Sequence, residues 1–116
     1  MNAQSATVIA TFSRRMRLLL ADGKEVDARI KGKRIKAVCG DMVKAEPIDN
    51  ESDWLITESS ERRNELARPN MRGQVEVLAA NVDTLVVVAA VSPLPDWYIV
   101  DRYLCAAELM GVNAIV

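Results

Sequence analysis

The stretch RIKGKRIK sets five cations within eight residues: Arg29, Lys31, Lys33, Arg34 and Lys36, around Gly32. A second cluster, Arg14, Arg15 and Arg17, lies upstream. Guanidinium and ammonium groups at this density neutralise phosphates and release counterions, and arginine also grips a phosphate through two parallel bonds. Gly32 lets a ligand come close to the backbone. The competing reading is a solvated charged surface, partly neutralised by Asp22, Glu25 and Asp27. Only Phe12 and Trp54 are aromatic in this part of the chain, so recognition leans on phosphates and shape rather than on stacked bases.

Other chemistries find no residues to perform them. The chain has no histidine, which excludes Ser-His and Cys-His nucleophile pairs. Cys39 and Cys105 stand far apart, in no zinc-ligand spacing, and read as free thiols in a reducing compartment. No G-x-x-x-x-G-K-[ST] phosphate loop occurs. Asp83 and Asp101 read as a strand start and a helix surface position rather than a carboxylate pair, and Trp97, Tyr98 and Tyr103 as helix packing. No catalytic residue, cofactor ligand or metal ligand is assigned within these residues.

Half of the chain is apolar and about a quarter charged, a globular composition. The net charge of −1 hides an asymmetry: residues 1–48 hold 10 Lys/Arg against 5 Asp/Glu, residues 49–116 hold 5 against 11. A basic front half points to an anionic partner. The N-terminus lacks a signal-peptide pattern, and the longest apolar run, Leu85 to Val91, is too short to cross a bilayer, so a cytoplasmic protein without membrane contact is expected.

The elements that must position the cations are short strands. Ala6 to Phe12 is rich in β-branched residues. Two strands follow, joined at Ala21-Asp22-Gly23-Lys24, an Asp-Gly hairpin turn. In the second, Val26, Ala28 and Ile30 share one face and Glu25, Asp27, Arg29 and Lys31 the other, as in a half-buried strand. A turn at Gly40-Asp41 leads to a strand with Val43 and Ala45 inward, which Pro47 closes; WLITES is a fifth strand. Five short strands without a long helix predict a small closed barrel, of OB type, with an SH3-like barrel as the alternative. Ser60 to Gln74 reads as a charged linker or surface extension. VDTLVVVAAV is then an apolar strand, Asp96 caps a helix over Trp97 to Met110, Gly111 ends it, and VNAIV is a further strand. The helix's apolar face is expected at Trp97, Val100, Leu104 and Ala107. Strand, helix, strand is a βαβ unit, too small to bury its own faces. The fold class is therefore mainly β, a five-stranded OB-type barrel followed by an incomplete α/β start, and the chain is expected to be the front of a longer protein. The expected division is a barrel over residues 1–67, a linker over 68–80 and the start of a second domain over 81–116.

The pieces AANVDTLVVV (Ala79 to Val88), Pro93 and DRYLCAAE (Asp101 to Glu108) resemble the ribosome small-subunit-dependent GTPase A family, a circularly permuted GTPase. GKRIKAVCGDMV and ERRNELARP are similar to its basic loop with Gly-Asp turn and to the segment leaving its OB domain. The resemblance implies an N-terminal OB domain that binds ribosomal RNA, a permuted GTPase domain and a C-terminal zinc domain, acting in late 30S subunit maturation. It implies GTP, magnesium and zinc for the parent protein, with the guanine-reading motif falling beyond Val116. Partners would be the small ribosomal subunit and its rRNA, met by a monomer. The family's RNA-contacting loop corresponds to Ser13-Arg14-Arg15-Met16; Arg14 and Arg15 lead the candidates, then Arg17, Arg29, Lys31, Lys33, Arg34 and Lys36, with Arg62, Arg63 and Arg68 third. The 116-residue chain alone is expected to bind RNA and not to turn over GTP. The alternative is a stand-alone OB module that binds nucleic acid without enzymatic activity.

Overall fold

A computed structural model describes residues 3–32 and 35–116. Five strands come first: β1 (Gln4–Thr11), β2 (Met16–Leu20), β3 (Glu25–Ile30), β4 (Met42–Pro47) and β5 (Trp54–Ser59). They close into a barrel in the order β1-β2-β3-β5-β4, with β4 returning to β1. All neighbours are antiparallel except β3 and β5, which run parallel with Ala28 opposite Trp54 and Ile30 opposite Ile56. A five-stranded barrel in this order is the OB arrangement and leaves no open sheet edge.

The period-two pattern sets what faces inward. Ala6, Val8, Leu18, Leu20, Ala28, Val43, Ala45 and Ile56 form the buried core, and Met16, Val26, Ile30, Ile35, Ala37 and Trp54 pack around it. Burying a side chain such as Leu18 or Ile56 contributes about 1.5–3 kcal/mol each. Trp54 packs against this core and is half-buried. The β2–β3 turn forms at Asp22-Gly23: Gly23 has φ 89°, and the Asp22 carboxylate accepts from the Lys24 amide at 2.9 Å.

The segment read as a linker is instead a hairpin of β6 (Glu65–Pro69) and β7 (Val75–Ala80). Pro69 is tolerated because it ends its strand, where no ladder donor is needed. The Asn70 side chain organises the turn by accepting from the Arg72 and Gln74 amides at 2.9 and 3.0 Å.

Beyond the hairpin, β8 (Thr84–Val86), α1 (Trp97–Met110) and β9 (Asn113–Ile115) form the βαβ unit, with β8 and β9 parallel. Asp96 caps α1 by accepting from the Tyr98 amide at 3.0 Å. Gly111, at φ 74°, ends it in a Schellman motif, its amide reaching the Glu108 carbonyl and that of Val112 the Ala107 carbonyl. Val100 and Ala107 are buried and Leu104 half-buried, whereas Trp97 is exposed at the first helical residue. The apolar run expected as one long strand is ordered as strand over three residues only, because β9 offers three residues to pair; Val88 and Val91 are exposed.

Candidate nucleic-acid interface

The β1–β2 connection is a tight turn. The Phe12 amide donates to the Arg15 carbonyl at 2.8 Å, leaving Ser13 and Arg14 at the tip. The strands behind it register Thr11 with Met16 and Ala10 with Arg17, so Phe12, Arg15 and Arg17 leave the outer face of the barrel while Met16 packs inward. On β3 the outer neighbour of Arg17 is Asp27. Together Phe12, Ser13, Arg14, Arg15, Arg17 and Asp27 line a hollow of about 500 Å³. The outer face of the second and third strands, with the loops at either side, is where OB barrels receive ligands.

Electrostatics separates the candidate cations. Arg17 is committed internally: its Nε donates to Glu25 at 3.0 Å and its second nitrogen to Asp27 at 2.8 Å. Its guanidinium is held above the ordinary arginine value, first by the hydrogen bond to Glu25 and then by the charge of Asp27. Arg29 forks both oxygens of Glu51 at 3.1 and 3.0 Å. Arg15 meets Asp53 at 3.7 Å with 63% of its side chain exposed. Such a long, exposed pair contributes about 0–1 kcal/mol, and a phosphate can displace it. Arg14, Lys31 and Lys36 are exposed and pair with no carboxylate among the described residues. Lys33 and Arg34 lie outside the described residues. Glu51 and Asp53 sit on the β4–β5 loop, distant in sequence, and nothing in the local charge pattern of the basic clusters announces them.

Of the third-ranked arginines, Arg62 is a structural residue. Its Nε and one terminal nitrogen donate to the two oxygens of Asp41 at 2.8 and 2.9 Å. Its other terminal nitrogen reaches Glu65 at 2.8 Å, and the Lys36 carbonyl accepts at 3.3 Å. Hydrogen bonds to Asp41 first, then to Glu65, push its guanidinium well above the ordinary arginine range. Asp41 is fully buried and also accepts from the Val38 amide at 2.9 Å. Arg63 donates to the Asn81 carbonyl and to Asp83, both at 3.1 Å. Arg68 is exposed on β6 and lines a separate cleft of about 400 Å³ with Arg102 and Tyr103 of α1.

The Asp41–Arg62 pair belongs to a seam between barrel and hairpin. Gly40, at φ 94°, donates to the Val8 carbonyl at 2.8 Å and accepts from the Asn81 side chain at 2.9 Å. The Ala80 amide donates to the Cys39 carbonyl at 2.9 Å. A Cβ on Gly40 would stand 1.9 Å from the Ala80 carbonyl oxygen, so only glycine permits this approach. Asn64 completes the join, exchanging two hydrogen bonds with the Val82 backbone at 2.7 and 2.9 Å.

Barrel, seam and βαβ unit define an OB-type module followed by a strand–helix–strand unit. The chain is 36% identical over 113 residues to the small ribosomal subunit biogenesis GTPase RsgA of Pseudomonas aeruginosa, covering 97% of this chain and 33% of that relative. It is 30% identical over 112 residues to RsgA of Neisseria meningitidis, covering 36% of it. In solved structures it superposes on YjeQ from Thermotoga maritima with a TM-score of 0.68 at 24% identity, covering 97% of this chain and 40% of that one. On YloQ, a circularly permuted GTPase, the TM-score is 0.66 at 25% identity, covering 98% and 39%. Residues 59–116 match the RsgA GTPase family. The chain belongs to the RsgA GTPase family and spans about a third of the length of the curated relatives it matches.

Members of that family are GTPases, which raises the fit of these residues to nucleotide and metal. No phosphate-loop motif is present in the sequence, and among the described residues no three His, Cys, Asp or Glu side chains converge. Among the described residues no side-chain cluster has the donor set of a zinc site, and no step of GTP hydrolysis is routed through them.

Proposed function

We propose that this chain is the RNA-docking front of a GTPase of small ribosomal subunit biogenesis. Residues 1–67 hold the docking barrel and the start of the β6–β7 hairpin, residues 68–80 complete that hairpin and connect the two parts, and residues 81–116 open the permuted GTPase domain. The parent protein would act in the cytoplasm as a monomer, use GTP and magnesium, and carry its zinc site elsewhere. The observation that supports docking most is the β1–β2 turn, where Arg14 is exposed without a carboxylate partner among the described residues and Arg15 is only loosely paired, beside the ligand-receiving face of an OB barrel. Lys31 and Lys36 are further exposed cations of the barrel, while Arg17 is held by Glu25 and Asp27 and Arg29 by Glu51.

The test is binding of the 116-residue chain to purified small ribosomal subunits across a potassium chloride series. The expected result is weak binding that falls steeply with salt, a marked loss for the Arg14→Ala/Arg15→Ala double variant, and no GTP turnover. Unchanged affinity in the double variant would remove the turn from the interface, and turnover by the pure chain would overturn the division of labour.

A further inference from the structure

The two aromatic residues of the barrel have opposite fates. Trp54 packs against the core, whereas Phe12 is 64% exposed. A lone exposed phenyl ring is ordinary on a protein surface. What distinguishes Phe12 is where it is held. Its amide is hydrogen-bonded to the Arg15 carbonyl, which sets the two residues opposite each other across the turn. Side chains so paired share a face, with Cβ atoms about 5 Å apart. Phe12 lines the same hollow as Arg14, Arg15 and Arg17. Of these cations Arg17 is occupied by Glu25 and Asp27, leaving Arg14 and Arg15 beside the ring as the groups able to take phosphate.

We infer that Phe12 is a platform on which one unpaired RNA base stacks, with Arg14 and Arg15 taking the phosphates that flank that base. The inference rests on the RNA-docking reading and narrows it. In a continuous duplex the base faces are covered by their neighbours, so the ligand is RNA with a bulged, looped or terminal base. One base on an aromatic side chain is worth about 5- to 150-fold in affinity.

The test uses the 116-residue chain and two RNA hairpins with the same stem, one fully paired and one carrying a single bulged 2-aminopurine, whose fluorescence falls on stacking. The wild-type chain is expected to prefer the bulged hairpin by at least about 5-fold and to quench the probe. Phe12→Trp keeps both effects. Phe12→Leu and Phe12→Ala lose both while binding the paired hairpin as the wild type does. The exposure of Phe12 makes these variants compatible with folding. If Phe12→Leu keeps the preference and the quenching, or the wild type shows neither, the inference is overturned. The Arg14→Ala/Arg15→Ala variant separates the two failures: loss of binding to both hairpins in that variant leaves docking standing when Phe12 fails. A wild-type chain that binds neither hairpin overturns both.

Discussion

Replacing Asp41 by asparagine removes a charge and almost no volume, which makes it a sharp probe of the seam. The carboxylate accepts from two nitrogens of Arg62 and from the Val38 amide, all at 2.8 to 2.9 Å. An amide presents only one oxygen. Turned one way it keeps one Arg62 nitrogen and loses the other together with Val38; turned the other way it loses the Arg62 Nε bond alone. The second arrangement costs least, and it still sets an amide donor against a guanidinium. A hydrogen bond to a charged group contributes about 1.5–3 kcal/mol, and breaking a buried ion pair costs about 3–5 kcal/mol. Arg62 is 23% exposed and keeps Glu65 and the Lys36 carbonyl, so the lower part of that range applies, about 3 kcal/mol. For a domain of this size that is a loss of roughly 10–20 °C in melting temperature. Urea unfolding followed by Trp54 fluorescence in a Trp97→Phe background reads it directly, since Trp54 packs on the core and Trp97 is exposed. A change below about 0.5 kcal/mol, the size of an ordinary surface substitution, would refute the reasoning.

Three further outcomes follow from other contacts. Gly40→Ala should destabilise by more than about 3 kcal/mol or abolish soluble expression, since its Cβ meets the Ala80 backbone oxygen at 1.9 Å; a melting curve like the wild type's would show that the seam yields. Arg17→Ala should leave RNA affinity within about twofold and the salt slope unchanged, while Arg14→Ala lowers the slope by about 1; equal slope changes in both would mean that Glu25 and Asp27 release Arg17 readily. Glu51→Gln should raise RNA affinity at low salt by up to about fivefold by freeing Arg29 from an exposed pair, and a loss of affinity would place Glu51 among the RNA contacts.

The barrel was legible where the physics is local. The alternation of Val26, Ala28 and Ile30 placed β3 and its inner face, Asp22-Gly23 placed the hairpin turn, and Asp96 and Gly111 marked the ends of α1. Misreadings arose where partners are distant. The hairpin of β6 and β7 escaped because Pro69 and Gly73 read as breakers, although each stands where a strand ends or a turn bends. The basic clusters were legible, and part of their neutralisation with them: Glu25 and Asp27 hold Arg17, whereas Asp22 caps its own turn and Glu51, the partner of Arg29, lies 22 residues away. Arg62 carried the signature of a surface cation, and only the fold shows that its partner is the buried Asp41.

The seam at Gly40 has a mechanical meaning. Val8 of β1 is bonded to Gly40 and Asp41, Cys39 to Ala80, and Gly40 to the Asn81 side chain, so a relay of hydrogen bonds runs from the barrel wall to the residues just ahead of β8. The chain between β5 and β6 is therefore no swivel. Turning the barrel against the hairpin requires breaking these bonds and the Asp41–Arg62 pair at once. Rotation of the barrel about the covalent chain is thus resisted by these bonds as well as by the chain itself.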